Sequence, residues 1–167
     1  MKFAVKKDLF RGTAETTFSP DVNLTRGMLV TVLYRLEGEP ETEGTGSFTD
    51  VIAGSWYEKA VIWAENNGIV KGCGNSRFCP NDDISREQTA LILFRYAKYK
   101  GYDTEISEIP ETYTDIDQIS SYAKDAVAWA NAAGLILGSN DQLMPGVTTS
   151  RAQAAAILHR FCDMTKK

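Results

Sequence analysis

The stretch Ile84-Ser85-Arg86-Glu87-Gln88-Thr89-Ala90-Leu91-Ile92-Leu93-Phe94 decides how the chain is organised. Ser85 and Gln88 have the spacing of a capping box, in which the Ser accepts from the third helical N–H and the Gln reaches back to the cap's own N–H. A helix therefore opens here and runs to about Lys98. From Thr89 to Phe94 it is apolar almost all round, the pattern of a helix buried on most faces. The same opening recurs as Leu24-Thr25-Arg26, 60 residues earlier, and as Thr149-Ser150-Arg151, 65 residues later. Each copy follows a proline (Pro20, Pro80, Pro145) and leads into a helical pattern that ends in a second arginine (Arg35, Arg95, Arg160). Ser150 and Gln153 repeat the capping box, whereas Thr25 is followed by Met28, which cannot complete one. Three such helices are expected to pack centrally, against one another.

The repetition extends upstream. Phe48-Thr49-Asp50-Val51 matches Tyr113-Thr114-Asp115-Ile116, Ala60-Val61-Ile62-Trp63-Ala64 matches Ala126-Val127-Ala128-Trp129-Ala130, and Gly68 and Gly72 match Gly134 and Gly138. A period of tens of residues means one supersecondary unit used repeatedly. Ser55-Trp56-Tyr57-Glu58 predicts a further capping box and a helix from about Trp56 to Asn67, closed by Gly68 in a left-handed conformation. Glu58, Lys59 and Glu65 charge one side of that helix and put it further out, while Trp63 and Trp129 lie in apolar stripes and belong to the core. The fold class is all-α, with helix-loop-helix units at 1–36, 47–98 and 112–163 forming one compact module, joined by polar linkers at 37–46 and 100–111. In the first unit only Phe3-Ala4 and Gly12 remain of the upstream half, so the sequence reads as a fragment starting mid-repeat. That truncation predicts incomplete cover for Leu29, Val32 and Leu33, and an end that is either the least protected or completed by self-association with a second chain.

Composition narrows the function. With 43% apolar residues over 167, the chain can bury a core. A net charge of −4 and scattered basic residues exclude a nucleic-acid binder. No run approaches 18 apolar residues and no signal-peptide pattern is present, so neither membrane insertion nor an export signal is expected within this sequence. Cys73, Cys79, Cys162 and His159 have no zinc spacing, and the Asp- and Asn-bearing loops at 21–23 and 81–83 lack the EF-hand pattern, so no metal or cofactor is expected. No triad order, paired carboxylates or phosphate loop points to an enzyme. Cys73 and Cys79 flank a tight turn, where a disulfide and two thiols are both open readings.

Together, Phe-x-Asp-Val, Trp-Tyr, Ala-Val-x-Trp-Ala, Gly-Ile-Val-x-Gly, Phe-x-Pro and Ile-Ser-Arg-Glu-Gln closely resemble the S-layer homology family over nearly the whole chain. The resemblance implies a three-repeat pseudo-trimer, with the second helices in a central bundle, the first helices projecting as prongs, and ligand grooves between neighbouring prongs. It further implies a module of the cell surface that anchors an exported protein to the bacterial cell wall by binding an anionic secondary cell-wall polysaccharide, often one carrying ketal-linked pyruvate. A protein-interaction or assembly module is the alternative. The family's groove arginine maps to Arg26, Arg86 and Arg151, its aspartate to Asp50 and Asp115, and its first-helix aromatic to Trp56 and Tyr122. Gly72 and Gly138 complete the candidate ligand-binding set.

The residues themselves leave two readings for each role. An arginine directly after an N-cap faces the positive end of the helix dipole, which disfavours a cation by roughly 0.3–1 kcal/mol. Three repetitions ask for a reason: either a bidentate grip on a ligand carboxylate or an internal pairing with an aspartate of its own or a neighbouring repeat. Asp50 and Asp115 suit sugar hydroxyls or backbone N–H groups equally. Trp56 suits either a sugar face or a hydrophobic staple.

Overall fold

A computed structural model describes residues 19–165. The upstream half of the first repeat, including Met1 to Lys7 and Gly12, lies outside them. The described residues form five α-helices: α1 (Arg26–Leu36), α2 (Glu58–Asn66), α3 (Arg86–Tyr99), α4 (Lys124–Ala132) and α5 (Arg151–Met164). No strand occurs among the described residues, so the fold is all-α. Two single 3-10 turns, Ile116–Gln118 and Ser121–Ala123, lead into α4.

Helices α3 and α5 open with the expected capping boxes, Ser85 with Gln88 and Ser150 with Gln153. Thr25 caps α1 by accepting from Met28 N, with no reciprocal bond. The box expected at Ser55 is not formed. Residues 52–58 instead coil into successive turns, with Ser55 N donating to Ile52 O and Glu58 N to Ser55 O. This leaves Tyr57 at the cap with helical dihedrals and lets the Glu58 carboxylate take Gly54 N at 2.7 Å. The Ser55 hydroxyl is buried without a hydrogen-bond partner, and α2 starts two residues later than the sequence suggests. Gly68 and Gly134 do close α2 and α4, each at a φ near 69° with paired bonds back to the last turn, as in Gly68 N to Glu65 O and Ile69 N to Ala64 O.

The module closes on a ring of three backbone hydrogen bonds. Leu24 N donates to Thr149 O at 2.8 Å, Thr149 N to Ile84 O at 2.8 Å, and Ile84 N to Leu24 O at 2.9 Å. All three residues are fully buried. Around this ring each helix start leans on the proline loop of the next repeat, cyclically. Gly27 N donates to Pro80 O, Glu87 N to Pro145 O, and Ala152 N to Pro20 O. These bonds satisfy amides that a helix start otherwise leaves open.

The apolar contacts follow the same offset. Helix α2 packs on α1 and α4 packs on α3, so the first helices of repeats 2 and 3 each lie against the second helix of the preceding repeat. Trp63 of α2, 3% exposed, wedges between Tyr34 of α1 and Tyr96 of α3, with ring centroids 5.7 and 6.4 Å away. Trp129 of α4 does the same between Phe94 of α3 and Phe161 of α5, at 5.4 and 6.5 Å. The central helices therefore meet largely through these wedges, together with Tyr96 against Phe161 at 5.6 Å. The offset also overturns the expectation of bare apolar surface in repeat 1. Leu29, Val32 and Leu33 are buried, and α1 packs against α2.

Cys73 and Cys79 are joined as a disulfide, and Cys162 is a buried thiol outside it. Thiol titration of the unfolded, unreduced protein should therefore give one equivalent. Replacing both bridged residues by serine should cost about 2 kcal/mol, the chain-entropy value for so short a loop, as read by chemical denaturation.

Candidate functional site

The loops entering α3 and α5 are built alike. Asn75 and Ser76, and likewise Asn140 and Asp141, take positive φ in two-residue turns of the primed type that suit tight hairpins. The residue before each proline is also left-handed, at φ 60° for Cys79 and 53° for Met144. The aspartates hold these loops. Asp50 accepts from Phe78 N at 2.7 Å and Cys79 N at 2.8 Å, and Asp115 from Leu143 N at 2.8 Å and Met144 N at 2.7 Å. Asp115 is 2% exposed, so its carboxylate is enclosed. Burial pushes the Asp50 carboxyl up, but the two amides and Arg77, 3.4 Å away, outweigh it and hold the group below its ordinary value of 3.8.

The recurring arginines grip the same loops from the other side. Arg26 Nε donates to Phe78 O at 2.9 Å, with its guanidinium 5.0 Å from the Phe78 ring centroid. Arg86 Nε donates to Leu143 O at 2.8 Å and a terminal nitrogen to Leu137 O at 2.9 Å. Arg26 and Arg86 are each 7% exposed and Arg151 is 3% exposed. Here, then, is what two of the guanidiniums after the caps do: those of Arg26 and Arg86 reach main-chain carbonyls of the next repeat, while Arg151 points a terminal nitrogen at Met28 Sδ, 3.8 Å away. The internal pairing expected with aspartates is indirect, since Asp50 and Arg26 hold the N–H and C=O of the same residue, Phe78. Gly72 and Gly138 are required by close approach. A Cβ at Gly72 would stand 2.6 Å from Arg77 O and 2.7 Å from the Phe48 ring, and one at Gly138 would overlap Tyr113.

A groove of about 310 Å³ opens where three repeats meet. Arg26 comes from the first, Lys71, Gly72, Gln88 and Arg95 from the second, and Tyr122 from the third. Its lining carries three cations and no carboxylate among the described residues. Burial lowers the Arg26 guanidinium from its ordinary value, and Arg95 adds to this while Asp82 opposes it; burial lowers Arg95 as well. Both remain charged at neutral pH. Like charges held together without a lining counter-ion form a place for an anion. A smaller cleft of about 190 Å³ holds Arg86, Leu137, Gln153 and Arg160. In it Leu137 replaces Lys71, and Arg160 is bonded to Leu135 O at 3.2 Å. Trp56, 56% exposed, packs edge-on against Tyr57 and lies outside both clefts. So do Arg151 and Gly138.

The structure thus brings Arg26, Gly72 and Tyr122 together and sets Asp50 and Asp115 behind the loop. Sequence reading did not select Lys71, Gln88 or Arg95 as site residues. The signal for Arg95 was present, since a second arginine recurs nine residues after the first in every repeat.

Fold and clefts together define a threefold helical repeat module with basic grooves at its seams. The sequence model of the S-layer homology domain matches residues 47–90 and 112–155. The chain is 33% identical over 160 residues to an amylopullulanase of Thermoanaerobacterium thermosulfurigenes, covering 94% of this chain and 8% of that protein. It is 31% identical over 159 residues to an endoglucanase of Bacillus sp. strain KSM-635, covering 95% and 17%. With the S-layer protein sap of Bacillus anthracis it shares 28% over 160 residues, covering 95% and 19%. The chain spans less than a fifth of the length of these relatives. It belongs to the S-layer homology domain family, whose place is the bacterial cell surface.

Two outcomes follow from the loop clamp. Arg86→Ala leaves the Leu143 and Leu137 carbonyls unanswered and should cost roughly 1.5–3 kcal/mol, lowering Tm by about 3–12 °C in calorimetry. Because the Asp50 carboxyl is depressed in the folded state, the stability it contributes is present above its unfolded value of about 3.8 and is lost as pH falls through the lower folded value. Acid denaturation of Asp50→Asn should therefore show a smaller loss of stability below about pH 4 than the parent chain.

Proposed function

We propose that this chain anchors an exported protein non-covalently to the bacterial cell wall by binding an anionic secondary cell-wall polysaccharide, and that it catalyses nothing itself. The observation that carries this reading is the groove of Arg26, Lys71 and Arg95, with the Tyr122 ring beside them. Guanidiniums and an ammonium suit a carboxylate such as a ketal-linked pyruvate, and the half-exposed phenol ring offers a face to the C–H surface of a sugar. In this reading Arg95 and Lys71 are the principal charge contacts, and Arg26 contributes the guanidinium donors not directed at Phe78 O. Gly72 lets the loop come close enough to form the floor. Asp50, Asp115, Gly138, Arg86 and Arg151 act by holding loops and seams, and Trp56 is the counterpart of Tyr122 at another seam. The three repeats act as one module, because every seam is shared between neighbours.

Co-sedimentation with isolated cell walls, before and after acid removal of ketal pyruvate, tests the reading. Arg95→Ala should weaken attachment about ten- to a hundredfold, the value of a charge-assisted hydrogen bond, with Tm little changed. Attachment should also fall with added salt. Binding that survives removal of the polysaccharide, or an Arg95→Ala chain that attaches as well as the parent, would overturn it.

A further inference from the structure

Glu87 is 7% exposed and lies in the first turn of α3, where a carboxylate suits the helix dipole. Its side chain is nevertheless turned across the seam toward the third repeat. One oxygen accepts from Ser120 N at 2.9 Å, and the other from Ser120 Oγ at 2.7 Å and from the Tyr122 hydroxyl at 2.8 Å. All three donors lie at the entry to α4. Tyr122 is 55% exposed and sits on a single 3-10 turn, Ser121–Ala123, which the Ser120 side chain does not cap. Its ring is a wall of the larger groove. The positions that correspond to Glu87 in the other repeats, Gly27 and Ala152, cannot make such a contact.

We infer that Glu87 is a positioning residue, which holds the Tyr122 ring in its groove-facing orientation and so makes this seam a pre-organised site for the sugar face of the ligand. The inference rests on the anchoring function proposed above. The phenol donates its proton to Glu87, and the residue lines the groove. Burial raises the Tyr122 phenol above its ordinary value, and the bond it donates to Glu87 together with that carboxylate's charge adds to the rise, against smaller opposing contacts from Ser120 and Gln88. Glu87 itself lines none of the groove and needs no contact with ligand. A ring held in place beforehand loses no rotamer freedom on binding, which corresponds to roughly threefold to tenfold in affinity.

The test compares Glu87→Ala, Glu87→Gln and Tyr122→Phe, alone and combined, in the whole chain. The probe is a purified pyruvylated wall polysaccharide, with affinity read by calorimetry. Glu87→Ala should bind threefold to tenfold more weakly per folded molecule. Glu87→Gln keeps an acceptor oxygen and should recover most of the loss. In the Tyr122→Phe background, Glu87→Ala should add little, because the two residues act as a unit. NMR of tyrosines labelled at the ring carbon bearing the hydroxyl should show Tyr122 titrating lower in Glu87→Ala than in the parent. Unchanged affinity in a folded Glu87→Ala chain, or the full loss persisting without the Tyr122 hydroxyl, would overturn the inference. If the parent chain does not bind the polysaccharide at all, the anchoring function fails. The role of Glu87 is then decided by Tyr122 ring dynamics alone: faster ring motion in Glu87→Ala supports it, and unchanged motion removes it.

Discussion

Everything in this module hangs on the triangle of backbone hydrogen bonds among Leu24, Ile84 and Thr149. Each of these residues offers its N–H to one neighbour and its C=O to the other, so no buried amide in the ring is left unpaired. The ring fixes where three helices begin and makes each start lean on the proline loop of the next repeat. Once the starts are fixed, Trp63 and Trp129 can each be driven between two central helices, and the seams between repeats acquire their shape. The larger groove exists because three repeats converge at one seam. No single repeat contains it.

The loop before each proline shows how the same residues serve structure and site. Phe78 is held at its N–H by Asp50 and at its C=O by Arg26, so one residue links two repeats through two charged side chains. Charged partners on main-chain groups form strong hydrogen bonds, and they keep the left-handed Cys79 in place. Holding Phe78 O also leaves the rest of the Arg26 guanidinium beside Lys71 and Arg95. The cationic groove is thus a by-product of a structural clamp that Arg95 and Lys71 extend. In the smaller cleft Arg86 answers two carbonyls and Leu137 stands in place of Lys71, and the positive charge is correspondingly less.

Much of this was legible in the sequence. Capping boxes depend on residues three apart, so Ser85 with Gln88 and Ser150 with Gln153 could be read directly, and the apolar stripes identified Trp63 and Trp129 as core. Ser55 and Glu58 satisfy the same local rule and yet form no box, because the preceding turns at 52–58 carry Gly54 N to the glutamate instead. The recurring arginines could be recognised, but their acceptors are carbonyls, and carbonyls leave no mark in a sequence. Arg86 and Leu143 are 57 residues apart. The assembly of Arg26, Arg95 and Tyr122 from three repeats was equally out of reach, since it follows from an offset that makes the first helices of repeats 2 and 3 the partners of the repeats before them.

That offset bears on copy number. Stacked repeat proteins grow by addition, because each new unit presents the same face that it covers, and an open stack accepts another unit at its end. A closed cycle of unlike faces has no end to extend. With each helix start answered by the next repeat's loop and the third returning to the first, two copies would leave a gap and a fourth would have to break a bond of the ring to enter. A gene that duplicates this unit therefore meets a count set by angle: lengthening the protein means beginning a second ring.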